Sequence, residues 1–112
     1  MSKFVLTEAS QIHSQAIWEW RNDPETRRMS KNNSLIKWEE HVNWFKQSLI
    51  NPGHHMFIGE IKEEWLGVVR FELVNLNKGI YEVNINIAPA HRGKGLAKII
   101  LQEGIDKLWL EE

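Results

Sequence analysis

The chain contains no cysteine, only three prolines and a single tyrosine among its 112 residues. The lack of cysteine excludes disulfide bonds, thiolate metal ligands and a cysteine nucleophile, and it agrees with a reducing compartment. The amino terminus, Met1 to Val5, lacks the long apolar region of a signal peptide, and no apolar run approaches the length of a membrane span. These absences predict a cytoplasmic protein.

The chain also lacks an excess of charge of either sign. Lysine and arginine number 14, aspartate and glutamate 15, and the formal net charge is −1. We therefore expect neither nucleic acid nor an anionic membrane as a partner. The five histidines form no H-E-x-x-H motif or other cluster with ligand spacing, so no metal site is predicted. The length and the 42% hydrophobic content indicate one globular domain, residues 1–112.

A helical apolar pattern occupies the first part of the chain, after a short strand predicted from Lys3 to Leu6. Thr7 and Glu8 supply a hydroxyl cap and an early acidic residue, so a helix is expected to begin there. Its buried face is predicted to consist of Ile12, Ala16, Ile17 and Trp20. Asn22-Asp23-Pro24 ends the helix because the residue before a proline avoids the α region, and residues 24–28 form a short second turn.

A further helix is predicted after a polar loop from Ser30 to Ser34. It begins near Lys37, and Asn51-Pro52-Gly53 ends it. Its buried face is predicted to carry Trp38, His41 or Val42, Phe45 and Leu49.

Three strands and a last helix follow. The β-rich runs His55 to Ile61 and Trp65 to Leu73 flank the charged Lys62-Glu63-Glu64, which predicts a hairpin. A turn from Asn75 to Gly79 leads to the strand Ile80 to Ile87, which alternates between Val83, Ile85 and Ile87 on one face and Glu82, Asn84 and Asn86 on the other. The last helix is predicted to bury Leu96, Ile99, Ile100, Gly104 and Leu108. The order β-α-α-β-β-β-α predicts an α+β fold with a mainly antiparallel sheet flanked by helices.

The stretch from Ile85 to Ile100 passes from a strand pattern through a glycine-punctuated turn into a helix pattern. Gly93 and Gly95 allow positive φ and close approach of a ligand, and the helix that follows offers unpaired N–H groups and the positive end of its dipole. Phosphate binds at such junctions. The stretch is not a Walker A loop, since Leu96 follows Gly95, and Lys98 replaces the third glycine of a dinucleotide fingerprint. A glycine-rich turn without a ligand is the alternative.

The pattern Arg92-x-x-Gly95-x-Ala97, preceded by a strand and Pro89, resembles the coenzyme A pyrophosphate loop of the GNAT superfamily of N-acetyltransferases. The order of elements resembles the front half of the GNAT fold. Residues 18–28 and 38–45 are similar to the branch that contains the amino-sugar N-acetyltransferases of pseudaminic acid biosynthesis and, more loosely, to the ribosomal-protein N-terminal acetyltransferases.

A GNAT domain continues after the phosphate-loop helix with a strand, a helix and a closing hairpin, whereas this sequence ends at Glu112. The resemblance therefore implies that the C-terminal strands are missing, together with a helix that often carries a thiolate-protonating tyrosine. Tyr81 is not expected to replace that tyrosine, because its side chain leaves the strand on the face opposite Glu82. One edge of the Ile80 to Ile87 strand is then exposed, and we expect a truncated chain or a homodimer or larger oligomer that covers it. The 112 residues alone are not expected to catalyse the reaction.

The resemblance implies acetyl-CoA as cosubstrate and no metal. The strand would hydrogen-bond the pantetheine amides and the loop would wrap the pyrophosphate, which gives as coenzyme-binding residues Ile85, Asn86, Ile87, Arg92, Gly93, Lys94, Gly95, Leu96 and Ala97. Positive charge from Lys94 and Lys98 would favour phosphate, and solvated lysines are the alternative.

Acetyl transfer to an amine needs a base that removes its proton. Glu82 is the candidate, directly or through a water, because it lies on the polar face of the strand that guides the coenzyme, and Glu72 is the second candidate. Burial would raise the pKa of Glu82 and favour that role. The alternative is that Glu82 is a cross-strand partner of an arginine or lysine.

The predicted acceptor-binding residues are Trp20, Arg21, Asn22 and His55. Arg21 and Asn22 follow the first helix, where the resembling family shapes its acceptor site, and an arginine suits a nucleotide diphosphate. Surface charges at a helix C-terminus are the alternative. His55 follows a Pro-Gly turn, where a histidine serves as base or substrate donor or is simply exposed.

Three functions remain open at this point. The first is an acetyl-CoA-dependent N-acetyltransferase that acts on a primary amine of an amino-sugar nucleotide. The second is a protein N-terminal acetyltransferase with the same fold. The third is a non-catalytic fragment that binds coenzyme A or associates with itself.

Overall fold

The computed structural model describes residues 3–29 and 34–111. Within these residues the structure has four strands and four helices, in the order β1 (Phe4–Glu8), α1 (Ser14–Asn22), α2 (Pro24–Arg28), α3 (Trp38–Ile50), β2 (His54–Ile61), β3 (Glu64–Asn75), β4 (Ile80–Ile87) and α4 (Leu96–Glu111). Two short 3-10 turns precede α1 and α4, at Gln11–His13 and Pro89–His91. The predicted order of elements is confirmed except at residues 24–28, where the predicted turn is the short helix α2.

The four strands form one antiparallel sheet in the order β1-β2-β3-β4. The β2–β3 hairpin turns at Lys62 and Glu63, whose φ values are +53° and +66°. Two successive residues with positive φ match the twist of a tight hairpin, and so the predicted turn lies where the charged residues stand. β4 is the last strand of the sheet, and among the described residues no strand pairs with its outer edge.

A hydrophobic core lies on each face of the sheet. Phe57, Val69 and Phe71 pack against Ile100 of α4 on one face. Helices α1 and α3 cover the other face, where the core consists of Ile17, Trp20, Phe45, Met56, Ile58, Val68 and Ala88. The alternation of β3 side chains supplies both cores from one strand.

Helix α4 lies close to the sheet because each of the two elements has a glycine at the contact. A Cβ placed on Gly59 of β2 would stand 2.9 Å from Cγ1 of Ile100, and one on Gly104 of α4 would stand 3.1 Å from the Phe71 ring. Neither position accepts a side chain without movement of the core. This close seating fixes where α4 begins, and with it the loop between β4 and α4.

The start of the first helix differs from the prediction. Thr7 and Glu8 belong to β1, where they pair with Ile58 and Phe57, because the β2 register carries the strand two residues farther than its apolar pattern. The helical region therefore begins after Ser10. Ile12, predicted as buried, lies in the 3-10 turn and is 71% exposed.

The buried stripe of α4 is also narrower than predicted. Ile99 is 44% exposed, whereas Ile100 is fully buried and Leu101 packs at the edge of the core. Residues spaced about four apart lie on the same side of a helix, and only that side of α4 contacts the sheet. In α3, His41 is the buried residue and Val42 is half-buried. Most of the predicted loop Ser30 to Ser34 lies outside the described residues.

Within the two described segments, no helix is long and apolar enough to cross a membrane. In the same residues, no group of three or more histidine, cysteine, aspartate or glutamate side chains is placed to hold a metal ion.

Candidate active site

The loop between β4 and α4 has the backbone geometry of an anion cradle. Gly93 and Gly95 take φ values of +80° and +75°, which side-chain-bearing residues rarely adopt. No atom lies within 4 Å of the place where a Cβ would stand on either glycine, so the space above the loop is open. Helix α4 starts at Leu96, and the N–H groups of its first turn have no intrahelical partners. The loop therefore places backbone donors beside open space.

The side chain of Arg92 points away from this cradle and fastens α2 to the end of β4. Its Nη1 donates to Asp23 Oδ2 at 2.7 Å and its Nη2 donates to Thr26 Oγ1 at 2.7 Å. Its Nε donates to the carbonyl oxygen of Ile87 at 3.1 Å. Arg92 was predicted as part of the loop that wraps a pyrophosphate, and that role stays a prediction. Its guanidinium is occupied by contacts within the protein.

The contact continues through Asp23 and Thr26. Asp23 caps α2 by accepting from the backbone N–H groups of Glu25 and Thr26. The hydrogen bond from Arg92 is the main reason that the pKa of Asp23 is lowered. Thr26 Oγ1 in turn donates to Oδ1 of the buried Asn86 at 3.2 Å. One chain of hydrogen bonds thus joins α2, β4 and the loop.

Lys94 reaches back to the 3-10 turn rather than across the cradle. Its Nζ lies 3.2 Å from Nδ1 of His91, and His91 Nε2 contacts the Glu64 carboxylate. Lys98 is exposed on α4. Both lysines remain near the loop, and their predicted use by a phosphate stays a prediction.

A cleft of about 630 Å³ opens beside the loop, between α1 and α2 on one side and the polar face of β3 and β4 on the other. A pocket of this volume is typical of small-molecule sites. Its polar side chains include Arg21, Thr26, Arg70, Asn84, Asn86 and Arg92.

Two arginines that line the cleft, Arg21 and Arg70, lie against the ring of Trp44 on α3. The Cζ atoms of Arg21 on α1 and Arg70 on β3 lie 4.1 and 4.8 Å from the centre of the Trp44 ring. Arg21 Nη1 donates to Nδ1 of the buried His41 at 3.1 Å, and His41 Nε2 donates to the carbonyl oxygen of Ser14 at 2.8 Å. Burial and the charge of Arg21 lower the pKa of His41 to about 4, so this ring is neutral at neutral pH. Neutral His41 can therefore accept the hydrogen bond from Arg21.

The two candidate bases stand directly opposite each other, since Glu72 of β3 pairs with Glu82 of β4. Glu82 is exposed, so the burial that was expected from the sequence to favour its role as a base is absent. Its charge acts on Arg70, as expected for the alternative of a cross-strand partner. Glu72 lies 3.5 Å from Nε2 of His54 and 3.9 Å from Nη1 of Arg70.

Of the predicted acceptor residues, only Arg21 lines the cleft. Trp20 is 8% exposed and belongs to the core beneath α1. Asn22 is occupied by both backbone groups of Ile36, with its Nδ2 donating to the carbonyl oxygen at 2.9 Å and its Oδ1 accepting from the N–H at 2.7 Å. His55 lies on the opposite face of the sheet, with its ring 6.0 Å from that of Tyr81.

Sequence reasoning missed Arg70 and Thr26. Arg70 interrupts the otherwise buried run Leu66 to Phe71, and a charge in such a run requires a partner or a function. A charged residue within this apolar run was the sequence feature that could have indicated Arg70 as a functional residue. Thr26 had none, because its contacts join residues that are distant in the sequence.

The family model described as the acetyltransferase (GNAT) family matches residues 14–111. The chain belongs to the GNAT family of acetyltransferases. A comparison with curated proteins found no match.

Solved structures are similar to this GNAT chain in fold. One is the spermidine N-acetyltransferase of Vibrio cholerae in complex with coenzyme A and spermine, with a TM-score of 0.80 and 19% identity over 92% of this chain and 62% of the other. A domain from Methanocaldococcus jannaschii matches with a TM-score of 0.76 and 20% identity over 99% of this chain and 71% of the other. A structure from Acinetobacter baylyi matches with a TM-score of 0.81 and 20% identity over 100% of this chain and 65% of the other.

The chain thus spans less than two thirds of the Vibrio cholerae acetyltransferase. At these identities the likeness shows the fold, a partial GNAT fold with a four-stranded antiparallel sheet flanked by helices.

Proposed function

We propose that this GNAT domain serves an acetyl-CoA-dependent N-acetyltransferase whose acceptor is the primary amine of a nucleotide-linked amino sugar. The observation that carries the proposal is the β4–α4 loop, in which Gly93 and Gly95 hold the backbone open to an accessible space beside a cleft of about 630 Å³. A pyrophosphate suits the backbone donors of such a loop.

The proposal assigns the coenzyme to the loop and to the free edge of β4. Backbone N–H groups of residues 93–97 would hold the pyrophosphate, and the edge of residues 85–87 would align the pantetheine arm, so that the donor lies along the cleft. Bound there, acetyl-CoA supplies the acetyl thioester. A second copy of the chain that covers the rest of the β4 edge, residues 80–84, and a cytoplasmic location belong to the same proposal and rest on the exposed edge and on the composition.

The chain's own residues have two tasks in this proposal. Arg92, Asp23 and Thr26 keep α2 against the end of β4, which maintains the cleft next to the loop. Glu82 accepts the amine proton, directly or through a water, from its place on the cleft side of β4. In an active preparation, Glu82→Gln is expected to lower turnover by about 10²- to 10⁴-fold and to leave coenzyme affinity unchanged. Unchanged turnover would move the role to Glu72.

Calorimetric titration of coenzyme A tests the loop assignment. Gly95→Val should abolish binding, because a β-branched residue at this φ distorts the cradle. Gly79→Val is the matched control, since Gly79 also has a positive φ, +63°, and open space around it, but lies in the β3–β4 turn. Both variants carry a similar backbone strain, and only the first should lose coenzyme binding.

Equal affinity of folded Gly95→Val and Gly79→Val for coenzyme A would refute the loop assignment. Gly95→Ala, a milder change, serves if the valine variant does not fold. Thiol release from acetyl-CoA with different acceptors then separates the remaining functions. Transfer to peptide N-termini instead of amino sugars would favour the protein N-terminal acetyltransferase, and coenzyme binding without transfer to any amine would favour a binding domain.

A further inference from the structure

The arginine pair beside Trp44 lies at the part of the cleft that the coenzyme assignment does not use. Arg21 and Arg70 both line the cleft, and Trp44 stands between α1 and β3 as their common neighbour. Because both guanidiniums lie close to the same ring, their separation cannot exceed the sum of the two centroid distances. Trp44 therefore fixes two like charges near each other.

The charges of this pair are only partly balanced by the protein. Among the residues that the structure describes, the hydrogen-bond partner of Arg21 is the neutral imidazole of His41, and no carboxylate lies within ion-pair distance of it. Among these residues Arg70 has one ion pair, a 3.9 Å contact with Glu72 that exceeds hydrogen-bond distance, and the charge of Glu82 also acts on it. Burial and the charge of Arg70 lower the pKa of Arg21 to about 10. Arg21 is still charged at neutral pH, and the proximity of Arg70 disfavours that charge.

The other two arginines of the cleft differ in this respect. Arg92 is paired with Asp23 and Glu25, and Arg27 donates from Nε to the carbonyl oxygen of Asn22. Arg21 and Arg70 both line the cleft, and within the described residues neither has a carboxylate in hydrogen-bond contact. A ligand with two acceptor oxygens would complete the arrangement, because guanidinium forks match carboxylate and phosphate geometry.

We propose that Arg21 and Arg70, held on Trp44, form a subsite for an anionic group, a carboxylate or a phosphate, on the acceptor that carries the reacting amine. This inference rests on the proposed function, and it narrows the acceptor to amines that also bear negative charge. It separates this chain from the Vibrio cholerae structure, which was solved with spermine, a polyamine. Two partly balanced arginines repel a polycation.

The subsite also lies at a suitable place for the reaction. Arg70 pairs across the sheet with Asn84. On the same face, the next pair along the two strands is Glu72–Glu82, two residues farther on. Two residues along a strand correspond to about 7 Å. An acceptor whose anionic group lies on the arginine pair can therefore place an amine a few bonds away near Glu82.

Titration calorimetry of the chain saturated with coenzyme A tests the subsite, because the coenzyme occupies the loop that would otherwise compete for anions. The probes are inorganic pyrophosphate, uridine diphosphate, glutamate and spermine. We expect at least one anion to bind and spermine not to bind. Arg70→Gln and Arg21→Gln should each weaken anion binding by about 10- to 100-fold, the value of one charge-assisted hydrogen bond. Arg70→Lys should recover part of the loss, because it restores the charge without the fork.

Arg28→Gln is the matched control. Arg28 is an exposed arginine of α2 outside the cleft, and its removal changes the net charge by the same amount. It should change anion affinity by less than about twofold, since screening weakens its long-range effect. An equal loss in Arg28→Gln and Arg70→Gln would overturn the subsite, as would binding of spermine in preference to every anion or no binding of any anion.

Tighter binding of pyrophosphate or uridine diphosphate than of glutamate assigns the subsite to phosphate, and the reverse order assigns it to carboxylate. If the chain does not bind coenzyme A, the proposed function fails on that titration. The anion titration can still be interpreted in that case. The Arg21 and Arg70 variants change the arginine pair and leave the β4–α4 loop intact, so a loss of anion affinity in them is a property of the pair.

Discussion

Successive residues of β3 point to opposite faces of the sheet, and the two faces differ in composition. Val69 and Phe71 enter an apolar core beneath α4. Arg70 and Glu72 point to the other side, where α1 and α3 bring arginine, histidine and tryptophan side chains. One strand therefore supplies the packing that holds the domain together and the polar groups that line its cleft.

The difference follows from how each face is covered. Helix α4 sits so close that Gly59 and Gly104 are needed at the contact, where a side chain would not fit without movement of the core. Helices α1 and α3 cover only part of the other face, and the cleft opens where their cover ends. A face that is fully covered contributes stability, and a face that is partly covered leaves space for a ligand.

The largest expected effect is the loss of stability from a truncation on the α4 face. Phe71 is 2% exposed and packs on Phe57 and on α4. Phe71→Ala should lower the free energy of unfolding by about 3 to 5 kcal/mol, because a large cavity opens in a close-packed core. Urea denaturation measures the change.

The neighbouring residue provides the control on the opposite face. Arg70→Met keeps the aliphatic volume on Trp44 and removes a charge that the protein only partly balances, so stability should change by less than about 1 kcal/mol. Equal losses in the two variants would mean that both faces contribute alike to stability.

Much of the fold was predictable because its patterns are local. The alternation of β4, the two glycines and the start of α4 lie within one continuous stretch, and backbone preferences decide each of them. The β2–β3 turn was predictable from charged residues between two β-rich runs. Errors occurred at Thr7 and Ile99, where pairing with β2 and the close seating of α4 determine the outcome.

The acceptor side of the site was less predictable, because its contacts join distant parts of the chain. Arg92 was correctly placed in the loop, yet its partner Asp23 lies 69 residues earlier and decides where the guanidinium points. Trp20 and Asn22 are residue types that often bind ligands. In this fold Trp20 packs in the core, and the Asn22 side chain hydrogen-bonds the backbone of Ile36. Arg70 becomes meaningful only when α3 brings Trp44 to it.

A smaller, pH-dependent effect should arise from the polar face. His41 is fully buried, and its pKa falls from an ordinary 6.5 to about 4 in the folded chain. Above pH 6.5 the ring is neutral in both folded and unfolded states. Between pH 6.5 and about 4 the unfolded chain takes up a proton that the folded chain cannot, so the free energy of unfolding should decrease as the pH falls.

His41→Gln should flatten this decrease, because its amide can still donate to the Ser14 carbonyl oxygen without taking up a proton. Urea unfolding of both proteins at several values between pH 7 and 4 measures the slopes. Part of the slope should remain, since burial also lowers the pKa of His13. Parallel curves for the parent and the variant would show that His41 is not the source.

The smallest effect concerns the contact that joins the polar face to the loop. Asp23 caps α2 and accepts from Arg92, so Asp23→Ala removes a helix cap and an ion pair together. The loss should be about 1 to 2 kcal/mol in urea denaturation. Asp23→Asn keeps the cap and removes only the charge, and its cost should be below about 1 kcal/mol because the ion pair is partly exposed.

Asp106→Ala is the control on α4, where Asp106 is exposed and accepts only from Gln102 one turn away. Its removal should change stability by less than about 0.5 kcal/mol. If Asp23→Ala lowered stability no more than Asp106→Ala, the contact between α2 and Arg92 would be a surface pair that does not stabilise the fold. If instead Asp23→Asn cost as much as Asp23→Ala, the charge on Arg92 and not the helix cap would hold α2 beside the loop.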